Sequence, residues 1–315
     1  MEKKFKVLGI GEVVLDKSNL LSKFPTEGQK NNSISTTLSV GGPVSAALIL
    51  LSRLGVECQL VCSIANDEAG KIIKNKLEKE GIKIIPHLQS KTKTNLIIVD
   101  QQTASRTIIK DQINHQPIQH LSETLIKSVD LIICDRHEEL AFNEVLNKKN
   151  KETPIVIDPS TEISKKILKM IKAASHPILP IESLHIIDPS QNLRNNLKKI
   201  QKIANKEIVI TAGKLGSFSF DGKKIKFAPA YEIKAIDTLG AGDVYRGAYS
   251  YGILNNWQQE KILDFANLVS ALQCIKIGNG SAIPSIREVE SFKKVAKLKK
   301  NSLLNINFSL KGKLL

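Results

Sequence analysis

Between residues 129 and 211 the chain repeats one pattern, a short apolar run followed by a longer stretch with helical spacing. Residues 129–134 read as a strand and 138–147 as a helix. Residues 155–157 read as a strand and 162–173 as a helix. Residues 186–187 lie in a short strand, 191–204 in a helix and 208–211 in a strand. Strands separated by helices pair in parallel, and a parallel sheet needs helices over both faces. The expected class is therefore a three-layer α/β/α fold.

The earlier part of the chain fits that plan. A first strand is expected over 5–11, a helix over 43–54 closing at Gly55, a strand over 57–64 and a helix over 69–80 closing at Gly81. Terminal glycines suit the left-handed turn that ends many helices. Further strand-like runs fall at 82–86, 94–99 and 106–110. Two segments, 12–38 and 87–112, break the alternation. Both are rich in Thr, Ser and Asn, with strand-like pieces and no helix. A last helix from about 291 leads into a basic tail. The expected organisation is one large domain over 1–290 and an appendage over 291–315.

Composition narrows the classes. No apolar run approaches the roughly 20 residues that span a bilayer, and the N-terminus carries no signal-peptide core. A cytoplasmic protein with no membrane partner is expected. The net charge of +15 raises nucleic-acid binding. Against it, the lysines spread along the whole chain with few aromatics among them, so no nucleic-acid partner is expected. The last 25 residues hold seven lysines and no acid. Cys58, Cys62, Cys134 and Cys274 fit no zinc spacing and read as buried thiols.

The chemistry concentrates in Asp237-Thr238-Leu239-Gly240-Ala241-Gly242-Asp243, which runs straight into an apolar helical stretch. Glycines let the backbone turn tightly and approach a ligand. A helix start offers unpaired N–H groups and the positive end of the helix dipole to a phosphate. A carboxylate beside a phosphate is repelled unless it has a task. Taking a proton from an attacking hydroxyl is such a task. The same residues also fit a simple turn whose Asp caps a helix. No Gly-Lys-Ser/Thr triplet occurs, and Gly9-Ile10-Gly11 lacks the third glycine of a dinucleotide fingerprint.

A second pattern, Gly41-Gly42 followed by Ala46-Ala47 and Arg53-Leu54-Gly55, lies about two hundred residues upstream. In this order the two motifs resemble the PfkB (ribokinase-like) family of sugar kinases, over nearly the whole chain. The resemblance implies a mostly parallel central sheet with a small β lid built from 12–38 and 87–112. It implies ATP and Mg²⁺ as cofactors, a small-molecule sugar as substrate, and a possible homodimer through the lid. It makes Asp243 the general base, with Gly240, Ala241 and Gly242 forming the anion hole. It places Asp16, Gly41 and Gly42 on the sugar side. Thr211, Gly213, Gly216, Thr238, Asn267 and Gly278 fall on the nucleotide side. Glu182 would correspond to an acid that supports magnesium, although Leu179 occupies the place of that motif's Asn.

One departure bears on the substrate. Many family members carry a sugar-binding Asn where this chain has Ala46. A small apolar side chain cannot make that hydrogen bond, which argues against ordinary ribose or unmodified fructose. Pro43, Ala46-Ala47, Lys30 and Asp135-Arg136 look more like the branch that contains sulfofructose kinase. Lys30, Lys110 and Arg136 would then surround an anionic group on the sugar. A fork-shaped guanidinium suits sulfonate or phosphate, and lysine adds a point charge. Each of the three also fits an ordinary surface base. A kinase for a neutral sugar and a non-catalytic binding protein of the same fold remain the competing readings.

Overall fold

Apolar residues on both sides of each central strand fix the layering. In the first strand Val7 enters the core on one face of the sheet, while Leu8 and Ile10 enter the core on the other. All three are fully buried, as strands sandwiched between helices require. The computed structural model describes residues 4–299, apart from 104, 114, 115, 277, 279 and 281.

Strand β1 (Lys6–Ile10) leads into β2 (Val14–Leu21) and β3 (Ser35–Gly41), followed by α1 (Pro43–Arg53), β4 (Glu57–Ile64), α2 (Glu68–Lys79) and β5 (Ile82–Leu88). Strands β6 (Thr94–Asp100) and β7 (Arg106–Lys110) come next, then α3 (Glu123–Lys127), β8 (Leu131–Asp135), α4 (Glu139–Lys148), β9 (Ile155–Asp158) and α5 (Lys165–Ala173). The chain continues through β10 (His176–Pro180), α6 (Glu182–Ile187), α7 (Leu193–Ala204) and β11 (Ile208–Thr211). It closes with β12 (Gly216–Phe220), β13 (Ile225–Pro229), α8 (Ala241–Leu254), α9 (Gln259–Cys274) and α10 (Ile286–Val295).

Nine strands form the main sheet in the order β13-β12-β11-β10-β9-β8-β1-β4-β5. The seven from β11 to β5 run parallel, and β12 and β13 add an antiparallel edge. A separate four-stranded sheet, β3-β2-β6-β7, is built from the two segments that break the alternation. This is the expected α/β/α architecture with a small lid.

Three details differ from the sequence reading. Residues 186–187 belong to helix α6, and Ile186 is exposed. The strand lies ten residues earlier, at His176–Pro180, where Pro177 and Pro180 disguise it. The first lid segment runs on to Gly41, because β3 pairs with β2 as far as Val14. The last helix begins at Ile286, before residue 291. The basic tail from residue 300 lies outside the described residues.

Helix ends show which termini are closed. Asp67, Ser122, Ser164, Asn192 and Ser285 each accept a backbone N–H from the first turn of their helix, a contact typically worth about 1 kcal/mol. Helices α1 and α8 have no such side-chain cap; Gly42 and Gly240 stand in the capping positions. The two helices pack closely. A Cβ on Gly247 would lie 2.7 Å from the Ala47 carbonyl oxygen. The four cysteines are buried and free. Among the described residues no helix is long and apolar enough to cross a membrane.

Candidate active site

The parallel strands end on one edge of the sheet, the usual place for a site in such folds. Asp135 ends β8, Asp158 ends β9 and Thr211 ends β11. Helix α8 enters with Asp243 in its first turn. Gly240 precedes it at φ 75°, a left-handed conformation that favours glycine. The Ala241 N–H donates to the Thr238 carbonyl at 3.3 Å. Among the described residues the N–H groups of Gly242 and Asp243 have no backbone partner. Gly242 and Thr238 are exposed. The first turn of α8 is therefore left open, with unpaired N–H groups of the kind that can face an anion.

The Asp243 carboxylate keeps a quarter of its surface exposed. Burial pushes its pKa up to about 6. The Arg246 charge opposes that rise, Asp158 adds to it, and Arg136 and Asp135 make smaller contributions of opposite sign. Such a group is ionised at neutral pH yet basic enough to accept a proton. Arg246 is buried one helical turn along α8. Its Nη2 donates to Asp158 Oδ2 and lies 3.4 Å from Asp243 Oδ1. Asp135 is fully buried and accepts the backbone N–H groups of Glu12 at 2.7 Å and His137 at 2.8 Å. Burial raises its pKa, against the nearby His137. His137 thus has a structural contact here. Arg136, next in the chain, lies 3.4 Å from Glu162.

Asp16 sits on β2, almost fully buried. Asn95 Nδ2 donates to its Oδ1 at 2.8 Å. Burial pushes the Asp16 carboxyl up and the Asn95 bond opposes. Gly41 lies directly over it: a Cβ there would stand 2.4 Å from Asp16 Oδ2. Across the lid, Asp16 pairs in register with Ser39 and Asn95, and Asn95 pairs with Lys110. Directly paired residues point to the same face. Asp16, Asn95 and Lys110 therefore form one row. Lys110 also lines a cavity of about 490 Å³ with Glu12, Lys93, Asp111, Gln112 and Ile113. Lys93 pairs with Glu12, and Lys91 pairs with Asp111 at 2.6 Å. Among the described residues Lys110 has no ion pair. Lys30 has none either; it lies exposed on the loop between β2 and β3, and no hydrogen bond joins it to the row.

The residues assigned to the nucleotide side divide. Gly213 and Gly216 shape the turn between β11 and β12, and the Thr211 carbonyl accepts the Ile181 N–H at 2.8 Å. Gly278 joins the glycine-rich segment, donating its N–H to Asp237 Oδ2 at 2.9 Å. Asn267 is buried on α9, and its amide nitrogen donates to the Ala228 and Pro229 carbonyls of β13. It fixes that strand rather than facing open space. Glu182 is exposed at the start of α6, beside Thr211 on the same sheet edge. Among the described residues no three His, Cys, Asp or Glu side chains cluster as a metal site.

Sequence reasoning missed Asn95, Asp158, Arg246 and Arg106. The last reaches from β7 to Asp237. Asn95, Asp158 and Arg106 meet their partners only through strand pairing or chain crossing, which no local motif marks; Arg246 stands three residues after Asp243 on the same helix, a spacing that could have found it.

Fold and site together define a phosphotransferase that acts on an alcohol. The chain belongs to the pfkB family of carbohydrate kinases, whose family model matches residues 4–286. It is 23% identical to a 5-dehydro-2-deoxygluconokinase of Clostridium botulinum (strain Alaska E43 / Type E3), over 94% of this chain and 95% of that one. It is 24% identical to an ATP-dependent 6-phosphofructokinase of Thermoanaerobacterium thermosaccharolyticum, over 95% of this chain and 96% of that one. Among solved structures, Arabidopsis thaliana ribokinase complexed with ribose and ATP superposes with a TM-score of 0.78 at 16% identity, covering 93% of this chain and 99% of the other.

Proposed function

We propose that this sugar kinase transfers the γ-phosphoryl group of ATP to a hydroxyl of an anionic sugar, such as a sulfonated ketose or a sugar phosphate. One observation carries the anionic reading, the row of Asp16, Asn95 and unpaired Lys110 across the lid. Asp16 would hold sugar hydroxyls. The Asn95 Oδ1, buried without a protein donor, would accept another. Gly41 leaves room for the Asp16 carboxylate, and Gly42 lets the chain pass close to the Glu12 carbonyl. Lys110 would face the anionic group, with Arg136 as a second cation. The names of the two sequence relatives, which describe a gluconate derivative and a phosphorylated fructose, favour an acidic or phosphorylated substrate here as well.

In this reading Asp243 takes the proton of the attacking hydroxyl. General-base assistance of this kind is typically worth about a hundred to ten thousand fold in rate. The N–H groups of Gly242 and Asp243, in the turn set by Gly240 and Ala241, stabilise charge on the moving phosphoryl group. Thr211, Gly213, Gly216, Thr238 and Gly278 line the nucleotide's side, and Asn267 supports them through β13. Magnesium supplies charge neutralisation on the phosphates, with Glu182 as the carboxylate that would help to hold it. Residues 1–290 would act as one kinase unit, with 291–315 as an appendage that helix α10 joins to it.

The lid also offers a partner surface. Leu38, Lys17, Leu96 and Ile109 form the neighbouring row, on the face opposite Asp16. Its three apolar members are exposed. A second copy of this chain would cover them in a lid-to-lid homodimer.

The test is a coupled ADP-release screen of the full chain. It compares ribose and neutral ketoses with sulfonated and phosphorylated sugars. The anionic reading predicts a kcat/KM at least about tenfold higher for an anionic sugar. Turnover of neutral sugars alone would leave a kinase and remove the anion pocket.

A further inference from the structure

We propose that Arg246, braced by Asp158, is a positioning residue that keeps the Asp243 carboxylate ionised and aimed out of the protein. The inference rests on the reading of Asp243 as the base.

A buried guanidinium at this place is unexpected on packing grounds. Its neighbours on α8, Val244 and Ala248, are fully buried core residues. Arg246 is 1% exposed and ranks among the largest buried side chains. Its Nε and Nη1 have no protein partner. Taking such a charge out of water costs several kcal/mol unless pairing offsets it. An apolar residue would fill the space without that cost. What the guanidinium adds is charge directly beneath Asp243, on the same helical face three residues on.

The charges facing Asp243 come from three elements. Arg246 stands on its own helix, Asp158 ends β9, and Asp135 ends β8 with Arg136 just after it. Two cations thus oppose two carboxylates, while burial favours the protonated form. Arg246 is the stronger of the two opposing cations. An opposite charge at such range typically lowers a carboxylate pKa by about 1–3 units. A single nitrogen, Nη2, serves both Asp158 and Asp243. The two carboxylates therefore compete for it. Asp158 fixes the guanidinium and at the same time draws its charge away from the base.

That competition gives predictions of opposite sign. Carboxyl ¹³C NMR on the full chain, labelled at aspartate, would follow the Asp243 titration directly. Its resonance is identified by its absence in Asp243→Asn. The wild-type midpoint is expected at about 6. Arg246→Met moves it up by about one unit or more, and Asp158→Asn moves it down. Arg246→Lys keeps a cation and stays within about half a unit of wild type. The acid limb of kcat/KM follows the same order, and Arg246→Met recovers turnover toward alkaline pH. If Arg246→Met does not fold, Asp158→Asn and Arg246→Lys decide the question. An unmoved midpoint, or one displaced the same way by Arg246→Met and Asp158→Asn, overturns the inference. The titration needs no substrate. Failure of the kinase reading would instead show as absent sugar-dependent ADP release in the wild type.

Discussion

Arg106 of the lid and Asp237 of the glycine-rich segment form an ion pair across 131 residues of chain. Asp237 is almost fully buried, and it also accepts N–H groups from Leu239 and Gly278, both at 2.9 Å. Burial disfavours its charge, yet Arg106 and these two amides hold its carboxyl below the usual range. The lid that carries Asp16 is thus tied to the segment that carries Asp243. Gln273 strengthens the same junction, donating to the carbonyls of Leu239 and Gly278.

Arg106→Met should leave Asp237 buried without its partner. We expect a loss of about 1–3 kcal/mol, below the full cost for a buried pair because Arg106 is about a quarter exposed. Denaturant unfolding of Arg106→Met, Asp237→Asn and the double variant checks the coupling. The double variant should lose less than the sum of the singles. Additive losses would show that the two residues act independently.

Gly41→Ala places a methyl group where Asp16 Oδ2 now lies, at 2.4 Å. The carboxylate must turn away from Asn95 or the strand must shift. KM for the sugar should rise at least about tenfold, with KM for ATP changed less than about threefold. Equal effects on both constants would detach Asp16 from the sugar side.

Much of this layout was readable from the sequence. Apolar runs separated by helical spacing gave away the parallel sheet, because a strand buried on both faces must be apolar throughout. Strand β10 escaped because Pro177 and Pro180 mark breaks in a sequence, although only the interior of β10 enters the core. The glycine-rich segment announced itself because tight turns demand glycine. Arg246 and Asp158 could not be read together, since the pair closes only when β9 and α8 meet, 88 residues apart. Asn95 needed the strand register, which no single segment encodes. The Ala241 amide was expected in the anion hole, but it already bonds Thr238.

The raised Asp243 pKa also sets a stability signature. Its ordinary value of 3.8 moves up to about 6 in the folded chain. Between those values the folded state binds the proton more tightly than the unfolded state. Stability from this group therefore falls as pH rises through that window, and the loss is complete above about 6. Asp243→Asn escapes the loss. It should be more stable than wild type at pH 8, by on the order of 1–3 kcal/mol, with the advantage shrinking toward pH 4. Unfolding midpoints at the two pH values check this. An advantage independent of pH would assign it to packing instead of charge.

The exposed row of Leu38, Leu96 and Ile109 predicts self-association. Sedimentation velocity should find a dimer of the wild-type chain at micromolar concentration. Leu96→Glu with Ile109→Lys should convert it to a monomer. A monomeric wild type would remove the proposal of a lid-to-lid dimer.

The central claim is that Asp243 accepts the proton of the attacking sugar hydroxyl. Sugar-dependent ADP release by Asp243→Asn, measured beside ATP affinity in the same preparation, tests it most directly. The account predicts ATP binding within about threefold of wild type and kcat at least about a hundredfold lower. Turnover within about tenfold of wild type would contradict it and send the search for the base elsewhere on the sheet edge.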